Sequence, residues 1–162
     1  MKSVCLKSAA FALFFVVIGI VLLRPDLGGA TPATLPLEVR LASGKTHVLM
    51  VEIARSNAER EHGLMGRTSL APDAGMLFDF GAPRLVTMWM HDTPLPLDMI
   101  FADEQGRVVR IAANTTPFSE ALISSGVPVL YVVEIAGGRA AEIGIAVGDQ
   151  LAGKALQPAQ SP

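Results

Sequence analysis

The chain has 162 residues, of which 51% are hydrophobic, and its formal net charge is −2 at pH 7. Its 13 Lys and Arg residues do not outnumber its 15 Asp and Glu residues and form no basic stripe, which argues against a nucleic-acid partner. The single cysteine, Cys5, excludes an intrachain disulfide, so the stability of the fold must come from packing.

The first 30 residues have the pattern of a secretory leader. Lys2 and Lys7 precede an uncharged apolar run over residues 9–23, and small residues follow at positions 28–30. Because this run is shorter than the roughly 20 residues that span a bilayer as a helix, we favour a signal peptide cleaved after about Ala30 over an uncleaved N-terminal membrane anchor. Either alternative predicts an exported protein, located in the periplasm or tethered to the outer face of the cytoplasmic membrane. Membrane contact is expected only through this segment, if it stays uncleaved.

The rest of the chain has the size of one domain with one core. Without the charged residues of the leader it has 10 basic and 14 acidic residues, a net charge of −4. We assign residues 31–36 to a linker, 37–152 to a single β-rich domain and 153–162 to a C-terminal tail.

Alternating apolar and polar residues predict strands over most of this domain. Residues 37–41 and 46–54 form a predicted hairpin. Ser56 and Glu59 then fit a capping box at the start of a short helix that ends at Gly63. Further strands are predicted at residues 75–80, 85–90, 97–102 and 107–112.

The C-terminal third completes the expected fold. Residues 113–128 are rich in Asn, Thr, Ser, Gly and Pro and are predicted to form a long surface loop. Residues 129–135 form a seventh strand that is apolar on both faces and therefore central, and a second short helix covers residues 139–143. The pattern thus predicts a mainly β (α+β) domain of about seven to eight strands with two short helices.

Several ordered blocks of the sequence resemble the signature of the domain-of-unknown-function family 192. The central blocks are Trp89-Met90, Thr93-Pro94 and Pro96-Leu97-Asp98-Met99-Ile100-Phe101, and others are Glu59-Arg60-Glu61, Gly63-Leu64-Met65-Gly66-Arg67, Gly75-Met76-Leu77-Phe78-Asp79-Phe80 and Val132-Val133-Glu134-Ile135. The similarity runs from about Leu37 to Leu151. This chain has His91-Asp92 where the family usually has Lys-Asn. The resemblance implies a small, mainly antiparallel β-barrel-like domain, often exported, with no established activity.

Three carboxylates fall in apolar strands and need partners. Asp98 shares a strand face with Ile100, and a carboxylate in such surroundings requires an Arg, backbone N–H groups or a displaced pKa. Glu134 lies in the central strand, and Glu52 is either buried or an edge residue that reaches solvent. Arg60 and Arg67 are the candidate partners of all three in structural ion pairs, because a guanidinium group binds a carboxylate in bidentate geometry. We expect Asp98 to be ionised, largely buried and paired with one of these two arginines.

The leading function hypothesis is a small-molecule or glycan binding module of the cell envelope. The candidate ligand-binding residues surround the rigid connector at residues 93–96 and are Arg60, Arg67, Trp89, His91, Asp92, Thr93 and Asp98. One alternative is an envelope hydrolase or lyase that uses Asp98 or His91 as acid or base, and another is an accessory module that binds a protein through residues 113–128. No His-x-x-x-His, Cys pair or Gly-x-Ser-x-Gly motif is present, so we assign no metal, cofactor or catalytic residue.

Overall fold

The computed structural model describes residues 33–157, so the predicted leader at residues 1–30 and the end of the tail at residues 158–162 lie outside the described part. Residues 33–157 form seven strands, two short α-helices and one 3-10 turn. The strands are β1 (Thr34–Arg40), β2 (Thr46–Ala54), β3 (Ala74–Met88), β4 (Leu97–Ala102), β5 (Val108–Ala112), β6 (Ile123–Ala136) and β7 (Gln150–Ala152). The helices are α1 (Asn57–His62) and α2 (Arg139–Ile143), and the 3-10 turn is Lys154–Leu156. None of the helices in this range is long and apolar enough to cross a membrane.

The strands form one curled sheet in the order β5-β4-β6-β3-β2-β1-β7. A bridge between Arg107 and Gln150 brings the start of β5 to β7, and this gives the sheet the shape of a half-barrel. The expected mainly β, barrel-like fold with two short helices is therefore confirmed. One pair differs from the antiparallel expectation: β2 and β3 are parallel, because residues 55–73 between them, including α1, are long enough for a crossover.

The two faces of the sheet carry two separate apolar clusters. The first cluster includes Val108 near one edge and Leu151 near the other, so it fills the inside of the curl. The second lies on the opposite face of β3, β4 and β6, where it includes Met76, Phe78 and Met99. Because β4 and β6 contribute to both clusters, they are buried on both faces, as the apolar pattern of residues 129–135 predicted for β6.

Two strands are longer than the sequence predicted. Residues 75–80 and 85–90 were expected as separate strands, but β3 is continuous from Ala74 to Met88. Its pairing with β6 shifts register between Asp79 and Arg84, so the intervening residues, with Gly81 at a φ of 71°, form an irregularity within the strand and not a turn. The same pairing extends β6 back to Ile123, which shortens the predicted loop at residues 113–128 to 113–122.

The predicted linker and tail also take part in the fold. Residues 34–36 of the expected linker pair with β2, opposite residues 50–52. In the expected tail, Ala155 is fully buried within the 3-10 turn, and the Tyr131 hydroxyl donates to the Leu156 carbonyl oxygen at 3.3 Å. Apolar contacts at Leu35 and Ala155 thus fix segments whose composition suggested irregular chain.

Candidate functional site

Helix α1 forms one wall of the candidate site, and local hydrogen bonds fix its position. The predicted capping box is present: the Ser56 side chain accepts from the Glu59 N–H at 3.2 Å, and the Glu59 carboxylate accepts from the Ser56 N–H at 2.8 Å. Arg60 donates to the carbonyl oxygens of Arg55 and Asp79. The bond to Asp79 ties α1 to β3.

The end of α1 allows the chain to pass close to β3. Gly63 has a φ of 49°, and a Cβ atom at this residue would lie 3.2 Å from the Phe78 ring. A larger residue would therefore be strained in its backbone and would push α1 away from the strand. Glycine at this residue keeps the space between α1 and β3 narrow.

Two adjoining cavities occupy that space. The inner chamber has a volume of about 20 Å³, enough for about one water molecule, and the outer cleft has a volume of about 250 Å³. Both are lined by Arg60, Glu61, Phe78, Met88 and Trp89, so they adjoin at these side chains, and together they are called the cleft. The inner chamber is also lined by residues 62–65 and by His91, Thr93 and Glu134, and the outer cleft by Phe80 and Arg84.

Glu134 lies at the inner end of this cleft, in the middle of the sheet. It is 4% exposed, and its neighbours on the adjacent strands are Met76 of β3 and Met99 of β4. Among residues 33–157 no hydrogen-bond or ion-pair partner contacts its carboxyl group, and burial alone raises its pKa to about 8. At pH 7 the group is therefore mainly the neutral acid, which can both donate and accept a hydrogen bond.

The oxygens of Glu134 face the inner chamber. Within the described residues, every fully buried side-chain oxygen or nitrogen has a hydrogen-bond partner. Because the Glu134 carboxyl has none, its oxygens cannot be sealed within the protein and must border the open space that the residue lines. The chamber thus ends in an acid group without a protein partner.

Trp89 and His91 form the rim of the chamber. Their rings are stacked with centroids 4.9 Å apart, and Trp89 is 45% exposed. The His91 Nδ1 lies 2.8 Å from a Glu120 carboxylate oxygen, and this hydrogen bond, with the charge of Asp92, raises the pKa of His91 above its ordinary value. Thr93 is buried beneath, and its hydroxyl donates to the His91 carbonyl oxygen at 3.0 Å. Glu120 and Thr93 therefore hold His91 in place, and His91 in turn supports the stacked ring of Trp89.

Asp98 lies outside the cleft, and its predicted ion pair with Arg60 or Arg67 is wrong. Its two carboxylate oxygens accept the backbone N–H groups of Asn114 at 2.8 Å, Gly138 at 3.0 Å and Ala140 at 2.8 Å. These bonds join β4 to the start of α2 and to the turn after β5. Asp98 thus fixes the fold, and backbone N–H groups occupy both of its carboxylate oxygens.

Of the other two predicted ion pairs, the structure contains that of Glu52 but not that of Glu134. Glu52 and Arg67 are paired at 2.5 Å, which confirms the prediction for Glu52, and both line a third cavity of about 630 Å³ on the far side of α1. Glu134 pairs with neither arginine, because Arg67 binds Glu52 and Arg60 binds backbone carbonyl groups.

The cleft brings together four of the seven predicted ligand-binding residues: Arg60, Trp89, His91 and Thr93. Arg67 lines the third cavity, and Asp92 and Asp98 line none of these cavities. Phe80 and Arg84 were missed, because their place beside α1 depends on the continuity of β3. Within residues 33–157, no group of three or more His, Cys, Asp or Glu side chains is arranged to hold a metal ion.

Comparisons with known proteins agree with the fold. The family model DUF192, described as "Uncharacterized ACR", matches residues 39–153, and no curated protein matches the chain. A crystal structure of a candidate transcription regulator from Sinorhizobium meliloti 1021 is 46% identical with a TM-score of 0.75, and the match covers 77% of this chain and 97% of that one. A protein of unknown function from Novosphingobium aromaticivorans DSM 12444 is 41% identical with a TM-score of 0.73, over 77% of this chain and 89% of that one. The chain therefore belongs to the uncharacterised family DUF192.

Proposed function

We propose that the domain binds a small molecule in the cleft between α1 and β3, as an exported module of the cell envelope. The observation that carries this proposal is the unpartnered acid of Glu134 at the end of an open chamber. Because its oxygens border the chamber, a ligand group that enters the chamber can exchange hydrogen bonds with the acid. The apolar walls at Phe78, Met88 and Trp89 would bury the rest of the ligand.

The size of the cleft favours a compound of about monosaccharide size over a glycan chain. The chamber admits only a group as small as a hydroxyl or carbonyl oxygen, while the outer cleft holds the body of the ligand. Trp89 offers a half-exposed ring at the boundary between the two. A flat or ring-shaped ligand would therefore stack at Trp89 and reach Glu134 with one polar group.

An envelope hydrolase or lyase is the second candidate, and the pKa of Glu134 favours it. A carboxyl group whose pKa is raised to about 8 in a cleft has the property of a general acid. Glu134 would then replace Asp98 and His91 in the role expected from the sequence. The Sinorhizobium relative is named as a candidate transcription regulator, and the net charge of −4 beyond the leader in this chain does not favour a role that requires contact with nucleic acid.

The test combines stability and binding at one residue. Glu134→Met replaces the acid with an apolar side chain of similar length, so it should raise the free energy of unfolding and abolish ligand binding. A thermal-shift screen of envelope metabolites and monosaccharides on the wild type should yield compounds that stabilise it, by about 2.7 kcal/mol at a hundredfold excess over Kd. The same compounds should not stabilise Glu134→Met.

The matched control is Glu104→Gln, which changes a carboxylate in the exposed turn before β5 and should leave both the stability and the ligand response unchanged. Compounds that stabilise Glu134→Met as well as the wild type would place the ligand elsewhere. A screen without any compound that distinguishes the two proteins would contradict the proposal.

A further inference from the structure

The outer cleft carries two positive charges that have no counter-ion within residues 33–157. The guanidinium groups of Arg60 and Arg84 lie 5.3 and 5.2 Å from the centroid of the Phe80 ring. Arg84 donates to the Phe80 carbonyl oxygen at 2.7 Å, and the bonds of Arg60 go to carbonyl groups and to Asn57. In contrast, Arg40, Arg55, Arg67 and Arg139 each contact a carboxylate.

These two arginines are also held in position before any ligand arrives. Arg60 is fixed by its bonds to the Arg55 and Asp79 carbonyl oxygens, and both guanidinium groups contact the same aromatic ring. A guanidinium group that bonds only to neutral oxygens keeps its full charge and its remaining N–H donors for an anion. The outer cleft is therefore a positively charged site, with Glu61 as the only acidic residue in its lining.

The inner end of the cleft must carry no negative charge if the cleft is to bind an anion. An ionised Glu134 would repel an anion, but the neutral acid present at pH 7 does not. The charges of the cleft thus run from two arginines at the open end to an uncharged hydrogen-bonding group at the closed end, with Phe78, Met88 and Trp89 between them.

We infer that the cleft selects a small organic oxyanion: a carboxylate or phosphate ester whose flat apolar body lies at Trp89 and whose far end carries a neutral hydroxyl or carbonyl group. The oxyanion binds Arg84 and Arg60 through charge-assisted hydrogen bonds. The neutral group reaches Glu134. This inference rests on the proposed ligand site and adds the charge and shape of its ligand.

Three probes of nearly equal shape test the charge preference: the anion 4-hydroxybenzoate, the neutral 4-hydroxybenzamide and the cation 4-hydroxybenzylamine. A fourth probe, 4-hydroxyphenyl phosphate, compares a phosphate ester with the carboxylate. Trp89 is the only tryptophan of the chain, so its indole N–H gives a single NMR signal that reports binding. The benzoate or the phosphate should shift this signal saturably, with at least tenfold higher affinity than the amide, and the amine should bind most weakly. Added salt should weaken the binding of the anions only.

Arg84→Gln tests the role of the charge without disturbing α1, because Arg84 is exposed and has a single hydrogen bond to its own strand. It should lower the affinity for the anions about tenfold and leave that for the amide unchanged. Arg110→Gln is the matched control: Arg110 also lies against an aromatic ring, that of Phe101, and bonds to the Ser124 carbonyl oxygen, but it is outside the cleft.

The outcomes separate this inference from the proposed function. Equal binding of the anion and the amide at Trp89, or preference for the amine, would overturn the oxyanion inference and leave the ligand site intact. If Arg84→Gln lowered the affinity for all probes equally, Arg84 would act through its shape and not its charge. This result would also overturn the oxyanion inference. If none of the probes shifts the Trp89 signal at about 10 mM, well above a millimolar Kd, the oxyanion inference is overturned. The ligand site itself is then decided by the thermal-shift comparison of the wild type with Glu134→Met.

Discussion

Glu134 should make the stability of the domain fall as pH rises, opposite to the usual behaviour of a paired carboxylate. The folded state holds the proton with a pKa of about 8, whereas the unfolded state holds it with the ordinary value of 4.5. The folded state therefore binds more protons between these values, and stability is lost as pH rises through the folded-state pKa. Glu134→Gln removes this titration while preserving shape and hydrogen-bonding capacity.

The size of the effect follows from the two pKa values. Each pKa unit corresponds to about 1.4 kcal/mol, so the difference between about 8 and 4.5 amounts to about 5 kcal/mol once both states are ionised. Between pH 5 and pH 8 the loss should be roughly 3 to 4 kcal/mol. Glu134 is only 4% exposed, so solvent screens this effect little.

Urea unfolding of the wild type, Glu134→Gln and the surface control Glu104→Gln at pH 5, 6, 7 and 8 measures this effect. The difference in unfolding free energy between Glu134→Gln and the wild type should grow steadily with pH, whereas Glu104→Gln should follow the wild type. Parallel curves for all three proteins would show that Glu134 titrates alike in both states, and the reasoning about its buried acid would be refuted.

Three further predictions concern the rest of the chain. Asp98→Ala should lower the unfolding free energy by about 3 to 5 kcal/mol because it leaves three backbone N–H groups without acceptors, and Asp98→Asn should cost less; equal urea midpoints would contradict this. Gly63→Ala should lower the melting temperature more than Gly66→Ala, since both have positive φ but only at Gly63 would the added Cβ atom lie 3.2 Å from the Phe78 ring; equal losses would remove the role of that contact. Mass spectrometry of the fractionated protein should find Thr31 or a near neighbour at the N-terminus outside the cytoplasm, and a soluble cytoplasmic product with Met1 or Lys2 intact would contradict export.

Local patterns predicted the local structure of this domain well. The capping box at Ser56 and Glu59 and the central strand around residues 129–135 depend on spacings within a few residues, which the sequence shows directly. The pair of Glu52 and Arg67 was also predicted from residue types, because an arginine is the usual partner of a carboxylate in an apolar strand.

Features that depend on long-range pairing were predicted less well. Gly81 and Pro83 lie between the two separate strands predicted at residues 75–80 and 85–90, but the pairing of β3 with β6 carries one strand through them. The partners of Asp98 are backbone N–H groups, which leave no signal in residue types. The site at Glu134 depends on which groups Arg60 contacts, and the carbonyl oxygens of Arg55, just before α1, and of Asp79, within β3, take its N–H donors. The sequence placed Glu134 among apolar residues but could not show that it stays unpartnered.

The most direct test of the account is a carbon-13 NMR titration of the Glu134 carboxyl group, with and without saturating 4-hydroxybenzoate. The free protein should show a midpoint near the pKa of about 8, which places the neutral acid in the chamber at pH 7. Bound oxyanion should move the midpoint higher, because a nearby negative charge favours the protonated form, as does a hydrogen bond that the acid donates to the ligand. A midpoint in the ordinary range of glutamate, or one that saturating ligand leaves unchanged, would contradict the claim that Glu134 is the polar end of a ligand site.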